Sequence, residues 1–166
     1  MARHWGLSLG GGGEYVEAAR KGGYIAVGWN ELGSLDWLTD SGEEKAKTRN
    51  RFDSAYKKIH PGSPIQIGRG AGQLWNFVVE MTEGDIVLVR DTSRGLFHTA
   101  KITGGYVFRE SPDDDCSFKH RRDVDWLKTV SRNTVSQRLK DSMGALLTIF
   151  NVGKHGPEIE GLRTGE

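Results

Sequence analysis

The strongest constraint in the chain is a change of hydrophobic period near Asp85. Before it, Leu74, Phe77, Val78 and Met81 recur at i, i+3, i+4 and i+7, which puts four apolar side chains on one face of a helix. After it come short apolar runs, Ile86 to Val89, Phe97 to Ile102, Tyr106 to Phe108 and Val124 to Leu127. Ser93-Arg94-Gly95, Gly104-Gly105 and an acidic loop separate them as turn signals. Helices followed by a series of strands predict an α+β domain: a bent mixed sheet or small barrel with helices outside. A chain of 166 residues is long enough for one such core.

The remaining elements follow from local signals. Glu14 to Arg20 reads as a short helix closed by Gly22-Gly23, and Tyr24 to Trp29 as a strand. Ser41 with Glu44 three residues on resembles a capping box opening a polar helix over 43–59, whose narrow apolar stripe is Phe52, Tyr56 and Ile59. His60-Pro61-Gly62-Ser63-Pro64 ends it. Gly68, Gly70 and Gly72 precede or open the next helix beside Arg69, where unpaired N–H groups could meet a phosphate, although a loop without a ligand fits the same residues. Thr134 to Asp141 predicts a short helix and Leu146 to Phe150 a final strand. The domain is expected over 1–152, with 153–166 a polar, mobile tail or linker.

Charge and composition exclude several kinds of chemistry. A net charge of +1 provides no whole-molecule field for a polyanion, so any contact must use a local patch. The candidate is the basic segment from Lys119 to Lys140, diluted by Asp123 and Asp125; with Arg69 it offers Arg121, Arg122, Lys128 and Arg132 as expected phosphate contacts. Cys116 is alone and cannot form an internal disulfide. Together with a start that lacks the apolar stretch of a signal peptide, it leads to an expected cytoplasmic location. No apolar run approaches the ~18 residues of a membrane span. The five histidines have no HExxH or similar spacing, so no metal site is expected. Gly10 to Gly13 lacks the lysine-serine ending of a P-loop, and the Asp113-Asp114-Asp115 loop lacks the rigid carboxylate and lysine set of a nuclease. The expectation is a binding protein with no catalytic centre and no cofactor.

The aromatic residues are more informative, although by composition they leave the ligand open. Five tryptophans are many for this length, and indole is rarely wholly buried, so two of them could form a stacking slot. The ordered series Gly23-Tyr24-Ile25-Ala26-Val27-Gly28-Trp29-Asn30-Glu31-Leu32-Gly33, Ala71-Gly72-Gln73-Leu74-Trp75-Asn76-Phe77, Gly84-Asp85-Ile86-Val87-Leu88-Val89, Lys101-Ile102-Thr103-Gly104 and Val124-Asp125-Trp126-Leu127 resembles the EVE/YTH-like branch of the PUA-like superfamily. The likeness runs from about Trp5 to Phe150 and is nearest to the amino-terminal domains fused to McrB-type and Mrr-type restriction systems.

That resemblance implies a PUA-like mixed barrel that takes a flipped, modified base into an aromatic pocket. Trp29 matches the cage tryptophan after the second strand, Asn30 and Glu31 would meet the base edge, and Trp126, Trp37 or Trp5 would form the second wall. Asn30 stands where the reader of methyladenine in RNA has serine or threonine. The expected partner is modified double-stranded DNA, carrying N6-methyladenine or a modified cytosine, with recognition directing an attached or partner restriction nuclease or NTPase subunit. The alternatives are an RNA-binding EVE/YTH-type domain and a non-catalytic interaction module of a restriction complex.

Overall fold

The computed structural model describes residues 2–165. Six strands form one mixed sheet: β1 (His4–Ser8), β2 (Tyr24–Val27), β3 (Ile86–Asp91), β4 (Leu96–Phe108), β5 (His120–Ser131) and β6 (Ile149–Asn151), in the order β2-β5-β4-β3-β1-β6. β1 and β3 run parallel, with Leu7 opposite Val89, and every other pairing is antiparallel. Register shifts between β4 and β5 after His98 and after Ile102 curl the sheet into a half-barrel, as bulges do by adding local twist. This is the α+β arrangement of curled sheet and flanking helices that the sequence implies.

Both faces of the sheet are covered. Val87 and Val89 of β3 join the larger core beneath the amino-terminal helices, while Ile86 and Leu88 join a second core on the opposite face. A strand buried on both faces must be apolar at every position, which is why Ile86 to Val89 reads as an unbroken apolar run. The larger core is roofed by α1 (Val16–Gly22), a single turn α2 (Trp37–Asp40), α3 (Lys45–Ile59) and α4 (Pro64–Trp75). The smaller lies under α5 (Gln137–Met143) and α6 (Gly156–Thr164).

Four expectations about elements change. The segment expected as a mobile tail is a 3-10 turn and α6, where Ile159 is fully buried and Leu162 packs beside it; two apolar residues at helical spacing in a polar stretch dock a short helix against a waiting core. Only Glu166 of that segment lies outside the described residues. The capping box belongs to α4 instead of α3: Ser63 Oγ accepts from Gln66 N–H, Gln66 Oε1 accepts from Ser63 N–H, and Pro64 sits at the first helical position. α4 therefore begins well before Gly68, Gly70 and Gly72. Those glycines, and Arg69 with them, lie inside a hydrogen-bonded helix and leave no amide nest for a phosphate. Last, Leu146 to Thr148 forms a loop ahead of the short β6, and Leu146 is fully exposed.

α4 ends in a π-turn (Asn76–Glu80), in which Met81 N–H reaches back to Asn76 O. The widened turn presents the carbonyls of Phe77 and Met81 to Arg122. At the other end of the layer Gly70 permits α3 and α4 to touch: a Cβ there would stand 1.9 Å from Tyr56 Oη and 2.5 Å from Cζ, atoms of a rigid ring. Gly70→Ala is therefore expected to lower stability by ~1–3 kcal/mol through overpacking, despite the better helix propensity of alanine. Urea unfolding measures the change, and an unaltered midpoint would show that the helices separate freely.

Candidate nucleobase site

The site starts with one backbone conformation. Trp29 follows β2 at φ 60°, ψ 36°, and among the described residues it is the only non-glycine with positive φ. A left-handed tryptophan costs on the order of 1–2 kcal/mol, so its surroundings must hold it. They do so through a partly buried chain of hydrogen bonds centred on His120. His120 Nε2 is 2.9 Å from Trp29 O, and a carbonyl can only accept, so this nitrogen carries the proton. Nδ1 then accepts from Tyr106 Oη at 2.6 Å, and that hydroxyl in turn accepts from Leu35 N–H at 3.1 Å. The Trp29 indole N–H reaches Tyr56 Oη at 3.3 Å. Burial pushes the Tyr106 phenol well above its ordinary value, keeping the proton that His120 needs.

Asn30 fixes the opposite wall. Its amide donates to Ser117 O and accepts from Lys119 N–H, both at 2.9 Å, which fastens Phe118 against the end of β2. A Cβ on Gly28 would lie 3.3 Å from the Phe118 ring, and Tyr15 backs that ring edge-on at 4.7 Å. Asn30 thus acts as a positioning residue, with one donor and one acceptor engaged by the protein.

Between these walls lies a cavity of about 390 Å³, bordered by Trp29, Phe118, Arg90 and Leu146 together with Ser8 and Thr148. Such a volume suits one small ligand. Arg90 gives hydrogen bonds to the carbonyls of Met143, Ala145 and Leu147, and so holds the loop that places exposed Leu146 at the rim. Gln73 Oε1 accepts from Thr148 and Ile149 N–H and ties the far end of the same loop. Partial burial lowers the Arg90 pKa from its ordinary value, yet a guanidinium remains charged at neutral pH, so the cavity carries a fixed positive wall.

The other sequence-selected residues lie elsewhere. Trp5 is 2% exposed and donates to Asp85 Oδ2 at 3.1 Å, a core role. Trp126 is half-buried on β5, donates to Ala19 O and meets His98 edge-on, away from the cavity. Trp37 and Glu31 border a different groove, between α2 and α3, where Glu31 lies 3.0 Å from His60 Nε2. Phe118, Arg90 and Leu146 were missed. Only Phe118 left a trace in the sequence, as an aromatic residue just beyond the acidic loop.

Two expected phosphate contacts are also corrected. Arg121 and Arg122 alternate across β5 and are each 4% exposed. Arg121 pairs bidentately with Asp114, bonds Cys116 O and Phe118 O, and stacks on Tyr24 at 4.2 Å. The same pair holds the Asp114 carboxyl down to about 2. Arg122 bonds Gly104 O, Phe77 O and Met81 O. Neither guanidinium can reach a phosphate without abandoning these buried carbonyls. Lys128 and Arg132 remain exposed.

Residues 5–153 match the family described as a domain of unknown function, DUF8426. The chain belongs to that family. No curated protein matches it in sequence. Among solved structures it is similar to the YTH domain of the Zygosaccharomyces rouxii MRB1 protein, determined in complex with N6-methyladenosine RNA. The TM-score is 0.48 and the identity 13%, over 98% of this chain and 87% of that one. Among the described residues of this DUF8426 protein, no helix is long and apolar enough to cross a membrane.

The Trp29 clamp has a pH dependence of definite sign. Burial is the main cause that lowers the His120 pKa below its ordinary value, outweighing the opposing effects of Trp29 O and Glu31. A folded-state value below the unfolded one means that the clamp contributes fully above about pH 6.5 and is lost as pH falls, when the unfolded chain takes up the proton more readily. Thermal unfolding across this range should show falling stability on acidification, and His120→Gln, which keeps a donor for Trp29 O, should flatten the curve. An identical slope in the variant would assign the acid sensitivity to other groups.

Proposed function

We propose that this chain reads a single modified nucleobase, taken out of its stack and held between Trp29 and Phe118 under Leu146. The observation that carries the reading is the strained backbone of Trp29, held by a partly buried hydrogen-bond chain at the edge of a cavity of about 390 Å³. Strain of this kind persists where the surroundings enforce it, and it is concentrated at binding and switch sites. Two aromatic walls supply stacking of ~1–3 kcal/mol per base, and extraction from a stack costs a few kcal/mol, so contacts to the strand must complete the balance.

The reading extends the sequence resemblance. On that ground the expected polymer is modified DNA, and the chain would act as a non-catalytic, cytoplasmic module that directs an attached or partner restriction nuclease or NTPase subunit. The similar YTH domain was determined with RNA, so both polymers belong in the test. Arg90 in the cavity wall adds a selectivity rule: a neutral modified base fits, whereas a base with a permanent positive charge meets a like charge. The affinity for a strand carrying 1-methyladenine or 7-methylguanine should be at least ~10-fold below that for N6-methyladenine or 5-methylcytosine in the same sequence. Equal affinity would remove Arg90 from the pocket.

Calorimetric titration of matched DNA and RNA strands against Trp29 variants tests the site directly. Trp29→Ala should lose ~1–3 kcal/mol of binding and most of its preference for the modified base. Trp29→Gly should bind equally poorly but unfold at ~1 kcal/mol higher stability than the alanine variant, because glycine adopts positive φ without strain. A folded Trp29→Ala protein with full affinity and selectivity overturns the stacking role.

A further inference from the structure

A groove of about 660 Å³ lies between α3 and the segment from Glu31 to Trp37, distinct from the nucleobase cavity. We propose that this groove and the outer face of α3 form the track for the sugar-phosphate backbone of a single-stranded nucleic acid, with an unmodified base stacked on Trp37. The inference rests on the reading of the Trp29 cavity as a nucleobase site and assigns the strand contacts that such a site needs.

Charge is the first ground. α3 carries Lys45, Lys47, Arg49, Arg51, Lys57 and Lys58 against the single acid Asp53, in a chain whose net charge is only +1. Carboxylates neutralise three of the six: Lys45 pairs with Glu80, Arg49 with Asp53 and Arg51 with Glu43. Lys47, Lys57 and Lys58 are exposed and have no carboxylate partner among the described residues. Lys47, Arg51, Ser54 and Lys58 recur at i, i+4, i+7 and i+11, one polar face opposite the buried stripe of Thr48, Phe52 and Tyr56. Along the axis that face spans roughly 16 Å.

The second ground is the aromatic floor. Trp37 is half-buried at the groove, backed by Phe52 at 6.2 Å and with the Arg51 guanidinium 5.0 Å from its ring. A rigid indole that shares its groove with the unpaired Lys58 is the combination that binds single strands without sequence readout. Asn50 and Ser54 line the groove as neutral hydrogen-bonding groups, and Glu31, its one lining carboxylate, is turned to His60 at 3.0 Å.

The third ground is position. Trp29 lines the nucleobase cavity, while Glu31 and Leu32, two and three residues further on, line the groove. The Trp29 indole N–H also bonds Tyr56 of α3. A strand that gives one base to the cavity therefore needs to cross only the turn Asn30–Leu32 to reach α3. Lys128 and Arg132 of the basic segment line neither the cavity nor the groove.

Fluorescence anisotropy with labelled oligothymidine and oligouridine carrying one N6-methyladenine, one 5-methylcytosine or the matching unmodified base tests the track across a salt series. Replacing Lys47, Lys57 and Lys58 together by alanine should reduce the slope of log affinity against log salt by about 2, since each phosphate contact to a single strand contributes ~0.7. Affinity should fall ~10-fold or more at moderate salt, by the same factor for modified and unmodified strands. Trp37→Leu should weaken binding ~10-fold with the slope unchanged. An unchanged slope in the lysine variant, or a loss produced instead by Lys128→Ala with Arg132→Ala, overturns the track. Salt-sensitive binding with no preference for a modified base rejects the nucleobase reading and leaves the track standing, whereas failure of the wild-type protein to bind either strand overturns both.

Discussion

Two adjacent arginines on β5 hold the architecture together, and the rest of the molecule is arranged around satisfying them. A buried guanidinium must find acceptors for its fork of donors, and Arg122 finds them in Gly104 O at the bulge of β4 and in Phe77 O and Met81 O at the end of the α4 layer. One side chain thereby joins the curl of the sheet to the helices above it. The π-turn is the matching feature, because it offers Phe77 O from within the turn and Met81 O from the extended residue that closes it. Arg121 points the other way and gathers the acidic loop through Asp114, Cys116 and Phe118. Removing either would leave several buried carbonyls without partners, a cost well above that of an ordinary surface charge.

The nucleobase cavity depends on this frame at one remove. Arg121 and Asn30 hold the loop that carries Phe118, and His120, the residue before the arginine pair, holds Trp29. Arg90 on β3 does the same for the loop bearing Leu146. Each wall is thus carried by a loop or strand end and fixed by a polar side chain from a rigid strand. A binding site needs this division of labour, since loops provide exposure and the sheet provides precision. The positive charges near the cavity follow the same logic. Those spent on backbone carbonyls shape the site, and those left over lie on α3, outside it.

Much of the fold was legible in the sequence. The helical spacing of Leu74, Phe77, Val78 and Met81 and the switch to strand pattern after Asp85 led to the helix layer and to β3, β4 and β5, and Gly22-Gly23 correctly closed α1, where Gly23 adopts φ 74°. Helical and strand periodicities are local consequences of which faces are buried, so they survive in the sequence whatever the topology. The left-handed turn after β2 was half visible: Gly28-Trp29 marked the end of a strand, but nothing local announced that the tryptophan itself would take the positive φ. Capping was misplaced because Ser41-Glu44 and Ser63-Gln66 both fit the motif, and only the second has proline at the first helical position.

What tertiary structure alone decided is the fate of each charge and each indole. Arg121 and Arg122 look in sequence like part of a solvated basic segment with Lys128 and Arg132, yet β5 carries them between β2 and β4, where the carbonyls of distant segments surround them. Trp5 and Trp126 have the same composition value as Trp29, but their indole N–H groups end on Asp85 and Ala19, each far away in the chain. Leu146 reads as a strand residue and becomes a rim because Arg90, more than fifty residues earlier, bonds the backbone on either side of it. Periodicity records burial against whatever neighbour arrives, and so it determines secondary structure and the existence of a core. Hydrogen-bond partners across long sequence separation depend on which strands pair, and no local pattern encodes that choice.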